Sequence, residues 1–406
     1  MTLSDDPELS ALKDMHVGLF DLDGLFCHKL MSGTKAGKLA VTGYSFCDVI
    51  HAWDSAEQQW EDDRTYIDRP ARIFPETLRR WPFSLDAGIV IADFTGDYGE
   101  NSPRNQLLKQ LARADAMGFG VTAAFEYEFF LLDETADSLR AKGYRNLEHF
   151  AKANRTYSLQ SAAAYGDLFD GLRSCMETLD IGMDSLHTEL GPGCFEAPLA
   201  VTTGIKAADD AALFRNFARA YFARNALTTV FMSKLSPDLS GQSGHFHISL
   251  RKGDAPAFAD PDAPDGLSIE ARHFLGGLLQ LMPGTAQQVA RRAGLPYSQS
   301  RLTADPAYNA TLGARFLGEQ IENFDGSYVL TFAAYNAGPR RAKEWIERFG
   351  DPRGKPIDEV VDWVERIPFT ETRAYVQRIM ENYQVYKIRL GAGASIVEDL
   401  RFGRHR

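Results

Sequence analysis

The sequence predicts an α+β region followed by an all-α region. Strand-like and helix-like runs alternate as far as about residue 253, which is typical of a mixed domain. A loop rich in proline and aspartate follows at 254–266, and beyond it the pattern is helical nearly to the end. The acidic excess behind the net charge of −11 lies before Gln280. Because 406 residues exceed what one ordinary core needs, at least two domains are expected.

The composition restricts the class of protein. Hydrophobic residues make up 44% and charged residues 24% of the chain, and no apolar run reaches the roughly 18 residues that span a bilayer. The opening MTLSDDPELS is acidic where an export signal needs basic and apolar residues, so we expect a cytoplasmic protein without a membrane span. The acidic balance disfavours nucleic acid as a partner. Four cysteines without C-x-x-C spacing argue against a zinc knuckle or a disulfide framework.

The α+β region opens with a strand predicted at 16–29, with a turn signal at Asp23-Gly24. Pro103 begins a predicted helix whose apolar residues recur at helical spacing and which ends at Gly118. The remaining predicted elements are, in order, a strand in VTAAFEYEFFLL, a helix at 162–179, two strands joined through Gly191-Pro192-Gly193, a helix at 207–225, and a strand, a loop and a strand up to about 253.

The all-α region is divided by predicted helix breaks at Pro283-Gly284, Gly338-Pro339 and the stretch 351–354. The tail from Gly391 is rich in glycine and then basic, so a flexible end is expected. The alternative to the first of these breaks is one helix that continues without interruption through the stretch Ala271–Ala286, between the two regions.

Two glutamates in FEYEFF are spaced to share a site. Glu126 and Glu128 are two residues apart, so a strand directs both carboxylates to one face among aromatic neighbours. Buried like charges are costly unless a cation lies between them, and a divalent metal is the usual solution. In HTELGPGCFE, the Gly-Pro-Gly turn brings Glu189 and Glu196 to nearby positions on consecutive strands.

Two histidines in GHFHISL complete the pattern, because His245 and His247 share one strand face. Carboxylates with imidazole favour Mg²⁺ or Mn²⁺ over a tetrahedral zinc site. Each motif alone is more often a solvated strand face than a metal site. The occurrence of all three at strand ends of one region favours a shared metal site.

Several ordered motifs in residues 15–279 resemble the glutamine synthetase superfamily, in its glutamine-synthetase-like bacterial branch. They are FDLDG at 20–24, SPRNQLLKQLARADAMGFG followed by EYEFFL, HTELGPGCFE, and FMSKLSPDLSGQSGHFHISL. The resemblance implies a small β-grasp-like module at 1–98 and an incomplete catalytic α/β barrel at 99–278. It also implies a ligase that activates a carboxylate of an amino acid with ATP and joins it to an amine.

The resemblance also implies roles for individual residues. One divalent ion would be held by Glu128, Glu189 and Glu196. Glu126 and His245 would be two of the ligands of a second ion. The remaining matched positions contact ATP in the family and are here His247 and Ser249.

The chain departs from the family in two ways. Cys27-His28 stands where many members have Arg-Gly, and Cys194 replaces a frequent glutamine. Beyond the G-G-L-L stretch, the family's Asn-Ser-Tyr-Lys-Arg segment, its arginines for glutamate and phosphate and its final metal-ligating glutamate do not follow. The second ion therefore lacks a ligand, and we expect an impaired or inactive ligase. Because such sites form between subunits, we expect a homo-oligomer with impaired assembly.

Residues 279–390 resemble the C-terminal part of a soluble lytic transglycosylase catalytic domain, which has a lysozyme-like all-α fold, with 391–406 as the tail. The motifs are LLQLMPGTAQQVARRAGLPY, DPAYNATLGARFL, GSYVLTFAAYNAGPRRAKEWI and VERIPFTETRAYVQRIMENYQVY. The resemblance implies a cleft for peptidoglycan glycan strands. The predicted glycan-binding residues are Gln280, Met282, Tyr335, Asn336 and Glu371. The alternative is that Met282 and Tyr335 are core residues and Glu371 is a surface acid.

The general acid of the lytic transglycosylases has no counterpart here. In that family a glutamic acid stands some eighteen residues before the glutamine that matches Gln280, and this offset falls on Asp262. Glu270 is nearer, but it belongs to the synthetase-like part. Three hypotheses therefore stay open: an impaired ligase, a peptidoglycan lytic transglycosylase, and a non-catalytic chimera of the two.

Overall fold

The computed structural model describes residues 6–54, 57–59, 66–100, 102–153, 155–236, 238–263, 266–278, 283–389 and 395–404. The chain divides into two compact units. The first unit comprises Met1–Trp53 and Glu61–Ala257, and the second comprises Asp54–Trp60 and Phe258–Arg406.

All the named strands lie in the first unit. In chain order they are β1 (Asp14–Phe20), β2 (Phe26–Ser32), β3 (Tyr44–Cys47), β4 (Asp68–Ile73), β5 (Arg79–Arg80), β6 (Ala87–Phe94), β7 (Gly120–Leu132), β8 (His187–Thr188), β9 (Cys194–Pro198), β10 (Thr202–Thr203), β11 (Thr228–Val230), β12 (Gly244–Lys252) and β13 (Ala255–Pro256).

The helices of the first unit are α1 (Pro7–Ser10), α2 (Gly33–Thr42), α3 (Gly96–Gly99), α4 (Pro103–Ala116), α5 (Ala136–Ala141), α6 (Leu159–Ala164), α7 (Gly166–Thr178) and α8 (Ile205–Arg224). Short 3₁₀ turns lie at Asp48–His51 and Pro75–Thr77. The helix predicted at 162–179 is two helices, because Tyr165 leaves the helical conformation and packs its ring against Phe150.

The N-terminal sheet has the order β2-β1-β6-β4-β3, with β5 also paired to β6. The predicted strand at 16–29 is the β1–β2 hairpin, whose turn accepts hydrogen bonds through the side chain of Asp21. One face of β1 is buried with β6 and α2 in a core of its own. The other face of β1 carries His16.

The second sheet is built around the long strand β7. β12 and β11 pair with one edge of β7, while β9 and β10 pair with the other, and all these pairs are antiparallel. Alternate residues of β7, among them Phe129 and Leu131, are buried beneath α7 and α8. The opposite face therefore presents Glu126 and Glu128 away from this core, as the i, i+2 spacing predicts.

Buried ion pairs join α8 to the rest of the first unit. Arg79 donates to Asp210 at 2.6 Å, and Arg104 donates to Asp209 through two nitrogens at 2.9 Å. These groups are nearly excluded from solvent, so each charge depends on its partner. The pairs fix α8 against the N-terminal sheet and α4.

The described part of the second unit is helical. Its helices are α9 (Ile269–Leu278), α10 (Pro283–Arg292), α11 (Gln299–Ala304), α12 (Pro306–Asn323), α13 (Tyr328–Ala337), α14 (Pro339–Phe349), α15 (Ile357–Glu365), α16 (Thr370–Arg389) and α17 (Ile396–Phe402). α13 is buried almost throughout and forms a core with α14, α15 and α16. A second core joins α10, α11 and α12.

Two of the predicted helix breaks of this unit are confirmed. Gly338 separates α13 from α14 with a φ of 94°, and the stretch 351–354 separates α14 from α15. The described part of α10 begins at Pro283, and the break predicted at Pro283-Gly284 stays a prediction. The uninterrupted helix predicted over Ala271–Ala286 falls partly on 279–282, which lie outside the described residues.

The expectation of a flexible tail from Gly391 was wrong for residues 395–404. They include α17, whose Asp399 accepts hydrogen bonds from Gln384 and Lys387. Beyond the helix, the amide of Arg404 donates to the carbonyl of Gly326 at 2.9 Å. A buried acid with two partners holds this end, a contact that glycine content alone does not reveal. Among the described residues, no helix is long and apolar enough to cross a membrane.

Candidate functional site

The register of the second sheet aligns the predicted metal ligands. Glu128 of β7 lies directly opposite Glu196 of β9, which lies opposite His187 of β8. On the other edge of β7, Glu126 lies directly opposite His245 of β12. Because directly opposite residues point to the same face of a sheet, these side chains form one polar surface.

The β8–β9 hairpin is closed by the predicted Gly-Pro-Gly turn. Gly193 has a φ of 68°, and a Cβ there would lie 2.5 Å from the carbonyl oxygen of Leu131, so only glycine fits. The amide of Glu189 donates to the carbonyl of Cys194 at 2.8 Å. The turn thus places Glu189 beside Glu196, as the sequence predicts.

Among the residues that the structure describes, two groups of three side chains have candidate ligand atoms within 4.8 Å of one another. We call His187, Glu189 and Glu196 the enclosed group, and Glu126, Glu196 and His245 the open group. The carboxylates of Glu189 and Glu196 are 16% and 12% exposed. The imidazole of His245 is 55% exposed. The two groups share Glu196 but differ in access to water.

In the open group, the carboxylate of Glu126 is contacted by two imidazoles. Glu126 contacts His245 Nδ1 at 2.7 Å and His247 Nε2 at 3.0 Å. The hydrogen bond with His245 is the main cause that lowers the pKa of Glu126. The hydroxyl of Ser243, just before β12, donates to the carboxylate of Glu128.

In the enclosed group, carboxylates crowd one another. Burial raises the pKa of Glu196, and the nearby Glu128, Glu126 and Glu189 raise it further, while His187 at 3.6 Å opposes the shift. Like charges in a partly dry site are relieved by a cation between them. An oxygen-rich donor set with one imidazole suits a hard divalent ion such as Mg²⁺ or Mn²⁺. The residues present therefore fit the predicted metal.

Two neighbours change the chemistry of this site. The phenol of Tyr157 has a raised pKa because it bonds to the carboxylate of Glu189, and its ring centroid lies 4.9 Å from that of His187. Burial, with the charges of three glutamates, raises the pKa of Cys194 to about 12, so its thiol stays protonated.

The residues predicted to contact ATP follow along the same face of β12. His247 is bonded to Glu126, and the carbonyl of Ser249 accepts from Thr122 at 3.4 Å. Both lie on the strand face that carries His245. Their contact with a nucleotide stays a prediction.

Three contributors to this site are absent from the residues that the sequence motifs predict: His187, Ser243 and Tyr157. His187 stands two residues before Glu189 in a strand-like run, so the spacing argument used for Glu126 and Glu128 could have found it. Ser243 and Tyr157 lie outside the strands. No spacing rule predicts their positions.

In the second unit, Tyr335 borders a cleft of about 320 Å³. Its ring is parallel to that of Tyr375, with centroids 6.3 Å apart, and burial raises the pKa of the Tyr335 phenol. Other residues lining the cleft are Asn309, Gly313, Ala314, Leu317, Phe332 and Ile379.

The other predicted glycan-binding residues have different outcomes. Asn336 accepts a hydrogen bond from Thr372 at 2.6 Å, which ties α13 to α16. Gln280 and Met282 lie outside the described residues, and Glu371 lies in α16 with a side chain outside the described part. Asp262 is exposed in a turn. A role of these residues in glycan binding stays a prediction.

Residues 100–302, half of the chain, match the sequence model described as "Glutamine synthetase, catalytic domain". The chain belongs to the glutamine synthetase family. Residues 264–357 match the model described as "Transglycosylase SLT domain". The two matches to the glutamine synthetase and transglycosylase models overlap at 264–302, which contains the stretch Ala271–Ala286. The position of the transition within this overlap stays a prediction.

Known relatives agree with both matches. This member of the glutamine synthetase family is 29% identical to a glutamate–isopropylamine ligase of Pseudomonas sp over 338 residues, which cover 80% of this chain and 71% of the ligase. It is 35% identical to the soluble lytic murein transglycosylase of Escherichia coli K12 over 129 residues, or 32% of this chain and 19% of that enzyme.

A solved structure, the GmaS/ADP complex, superposes with a TM-score of 0.56 and 25% identity. The superposition covers 70% of this chain and 62% of that chain. The chain thus spans less than two thirds of GmaS and about a fifth of the transglycosylase.

Proposed function

We propose that the first unit is a divalent-metal-binding scaffold derived from an ATP-dependent carboxylate–amine ligase, with ligase turnover impaired or lost. Its substrates as a ligase would be an amino acid and an amine in the cytoplasm, where ATP is available. The enclosed group is the observation that carries the proposal, because two carboxylates and an imidazole converge there, and Glu128 and Glu126 lie close enough to raise the pKa of Glu196 further.

The enclosed group would hold one Mg²⁺ or Mn²⁺ through Glu189, Glu196 and His187, with Glu128 beside them. A divalent ion at such a site holds phosphate oxygens and neutralises their charge. The chain's own residues orient these ligands: Ser243 bonds to Glu128, and Tyr157 bonds to Glu189. Held ligands lose less conformational entropy when an ion binds.

The open group supports only weak binding of a second ion. His245 and His247 are more than half exposed, and their imidazoles already contact Glu126. The family's final glutamate ligand and its phosphate-binding arginines do not follow in the sequence. Without fixed positive groups, charge that develops on a transferred phosphoryl group is not stabilised. This is the physical reason for impaired turnover.

The test is Mn²⁺ binding followed by electron paramagnetic resonance of the free ion, together with phosphate release from ATP. We expect one Mn²⁺ per chain to bind at least tenfold more tightly than any other, and Glu196→Gln to weaken it at least tenfold. Glu177→Gln, an exposed glutamate on α7, is the matched control and leaves binding unchanged. Equal binding by the wild type and Glu196→Gln would refute the proposed site.

Phosphate release addresses turnover separately. We expect release dependent on glutamate and ammonia to stay below detection. Turnover that requires both substrates and disappears in Glu128→Ala would show an active ligase and contradict the impairment. Metal binding without turnover is the outcome that the proposal requires.

A second candidate function rests on the parallel Tyr335 and Tyr375 rings beside the cleft in the second unit. Aromatic faces with a nearby amide are suited to bind sugar rings, so we propose that this unit binds peptidoglycan glycan strands. Because Asp262 stands where the family has its general acid, binding without cleavage is expected, as in a non-catalytic chimera.

Pull-down with insoluble peptidoglycan tests this candidate. We expect Tyr335→Ala to lose binding at least fivefold, while Tyr144→Ala, an exposed tyrosine of the first unit, retains it. Equal retention by both variants contradicts glycan binding at the cleft. Release of anhydromuropeptides that vanishes in Asp262→Asn or Glu270→Gln would instead establish lytic transglycosylase activity.

A further inference from the structure

The β1–β2 hairpin carries two histidines whose ring nitrogens meet, on the face opposite the N-terminal core. The Nδ1 atoms of His16 on β1 and His28 on β2 lie 3.2 Å apart. The indole of Trp81 stacks on the His16 ring at 3.6 Å with an interplanar angle of 10°. Trp81 in turn contacts Phe217 of α8, edge to face. This cluster lies in the first unit, apart from the carboxylates of the second sheet.

The backbone is shaped to let these rings meet. The cross-strand partner of His28 is Gly18, and a Cβ on Gly18 would lie 2.7 Å from the Cβ of His28. Since Gly18 has no side chain, the His28 side chain passes over it towards His16, whose direct partner is Leu30. A diagonal pair of this kind therefore depends on glycine at position 18.

The separation of the two nitrogens matches that of two imidazoles on one metal ion. With metal–nitrogen bonds of about 2.0–2.1 Å and a near-tetrahedral angle, two ligand nitrogens stand roughly 3.3 Å apart. We propose that His16 and His28 chelate a divalent transition-metal ion that prefers imidazole nitrogen, Zn²⁺ or Cu²⁺. Water completes the coordination, and Asp14, two residues before His16 on the same strand face, adds negative charge beside it.

The protonation state of the pair suits a metal. Burial, with a smaller contribution from the neighbouring His28, lowers the pKa of His16 to about 4. The charge of Asp14 acts in the opposite direction. Burial also lowers the pKa of His28. Both imidazoles are thus neutral at pH 7, as a metal ligand must be.

Without metal, one imidazole donates its Nδ1 proton to the other Nδ1. When the ion binds, it takes the place of this shared proton, and the donor ring changes to its Nε2–H tautomer. No net proton release is required. The exposed edge of His28 gives the ion a path from solvent.

A bound metal ion would cross-link β1 and β2, because one ligand lies on each strand. The hairpin turn already contacts α8, because Asn216 donates to the carbonyl of Gly24 and accepts from the amide of Phe26. Arg215 donates to the carbonyl of Asp23 at 3.1 Å. An ion at the base of the hairpin would therefore stabilise the attachment of the N-terminal sheet to α8.

Trp81 provides a local reporter, because Cu²⁺ quenches the fluorescence of an indole only a few ångströms away. The full-length protein is titrated with Cu²⁺ in the presence of excess Mg²⁺, with calorimetry in parallel. We expect saturable quenching with one ion per chain, and at least tenfold weaker binding in His16→Gln and in His28→Gln. Trp81→Phe should lose the quenching but keep the calorimetric affinity.

Controls separate this pair from the other histidines. His273→Gln, an exposed histidine on α9, has the same histidine content as the test variants and should bind like the wild type. Circular dichroism of each metal-free variant verifies folding. Unchanged quenching in folded His28→Gln, or quenching that is lost in His245→Gln instead, would overturn the proposal and leave a hydrogen-bonded histidine pair.

Discussion

Asp209 and Asp210 on α8, and Glu189 and Glu196 at the β8–β9 hairpin, are all carboxylates withdrawn from solvent, yet their surroundings differ. The aspartates are 5% exposed and each faces an arginine. Glu196 faces His187 and three other glutamates, and its pKa is raised. Where the protein supplies the positive charge, the acid stabilises the fold. Where it supplies further acids, the site is arranged for a cation from solution.

The paired aspartates should carry the largest effect on stability. Asp210→Asn leaves the guanidinium of Arg79 buried without its charge partner, so we expect a loss of about 3–5 kcal/mol in the free energy of unfolding. Urea-induced unfolding measures it. Asp180→Asn is the matched control, because Asp180 is 84% exposed in its pair with Lys206, and its loss should stay below about 1 kcal/mol. Similar losses in Asp210→Asn and Asp180→Asn would show that the buried ion pair stabilises the fold no more than the exposed one.

Glu134 is a buried glutamate whose negative charge is balanced by hydrogen bonds from the protein itself. Its carboxylate accepts from Lys142 at 2.5 Å, from Ser138 and from the amide of Glu148, and these bonds lower its pKa from 4.5 to about 2. A lowered pKa means that this stability is present above pH 4.5 and is lost as the pH falls towards 2. Unfolding measured between pH 5 and pH 2.5 should show a shallower loss in Glu134→Gln than in the wild type. If the free energy of unfolding falls equally steeply with pH in both proteins, the bonds to Glu134 do not stabilise its charged form.

Glu196→Gln should have the smallest effect on stability and the opposite sign to Asp210→Asn. Removing one of several crowded negative charges relieves repulsion, so we expect the metal-free variant to be as stable as the wild type, or more stable by up to about 1 kcal/mol. The same urea series measures it. A loss of several kcal/mol would mean that Glu196 belongs with the structural acids.

Local spacing predicted the parts of this site that depend on neighbours in sequence. The i, i+2 positions of Glu126 and Glu128 put both on one strand face, and Gly191-Pro192-Gly193 predicts the turn between Glu189 and Glu196. The start of α10 at Pro283 and the helix break at Gly338 are likewise local, because proline and glycine restrict or release their own backbone.

Contacts between distant residues were not predictable in this way. The sequence does not specify the register that sets Glu128 against Glu196, nor the meeting of Arg79 with Asp210, which are 131 residues apart. Tyr157 reaches Glu189 from an irregular stretch. The helix α17 depends on hydrogen bonds that Asp399 accepts from α16. The glycine-rich sequence before it therefore led to the wrong prediction of a flexible tail. Such features follow from tertiary packing, which pattern and propensity do not determine.

The central claim is that the acids of the enclosed group are arranged for a cation, and metal-dependent stabilisation tests it most directly. Thermal unfolding is followed with and without Mn²⁺ in the wild type and in Glu196→Gln. At a concentration one hundred times the dissociation constant, a bound ion stabilises the folded state by about 2.7 kcal/mol. We expect the wild type to gain a stabilisation of this size and Glu196→Gln to gain little. Equal gains in the two proteins, or none in either, would contradict the account.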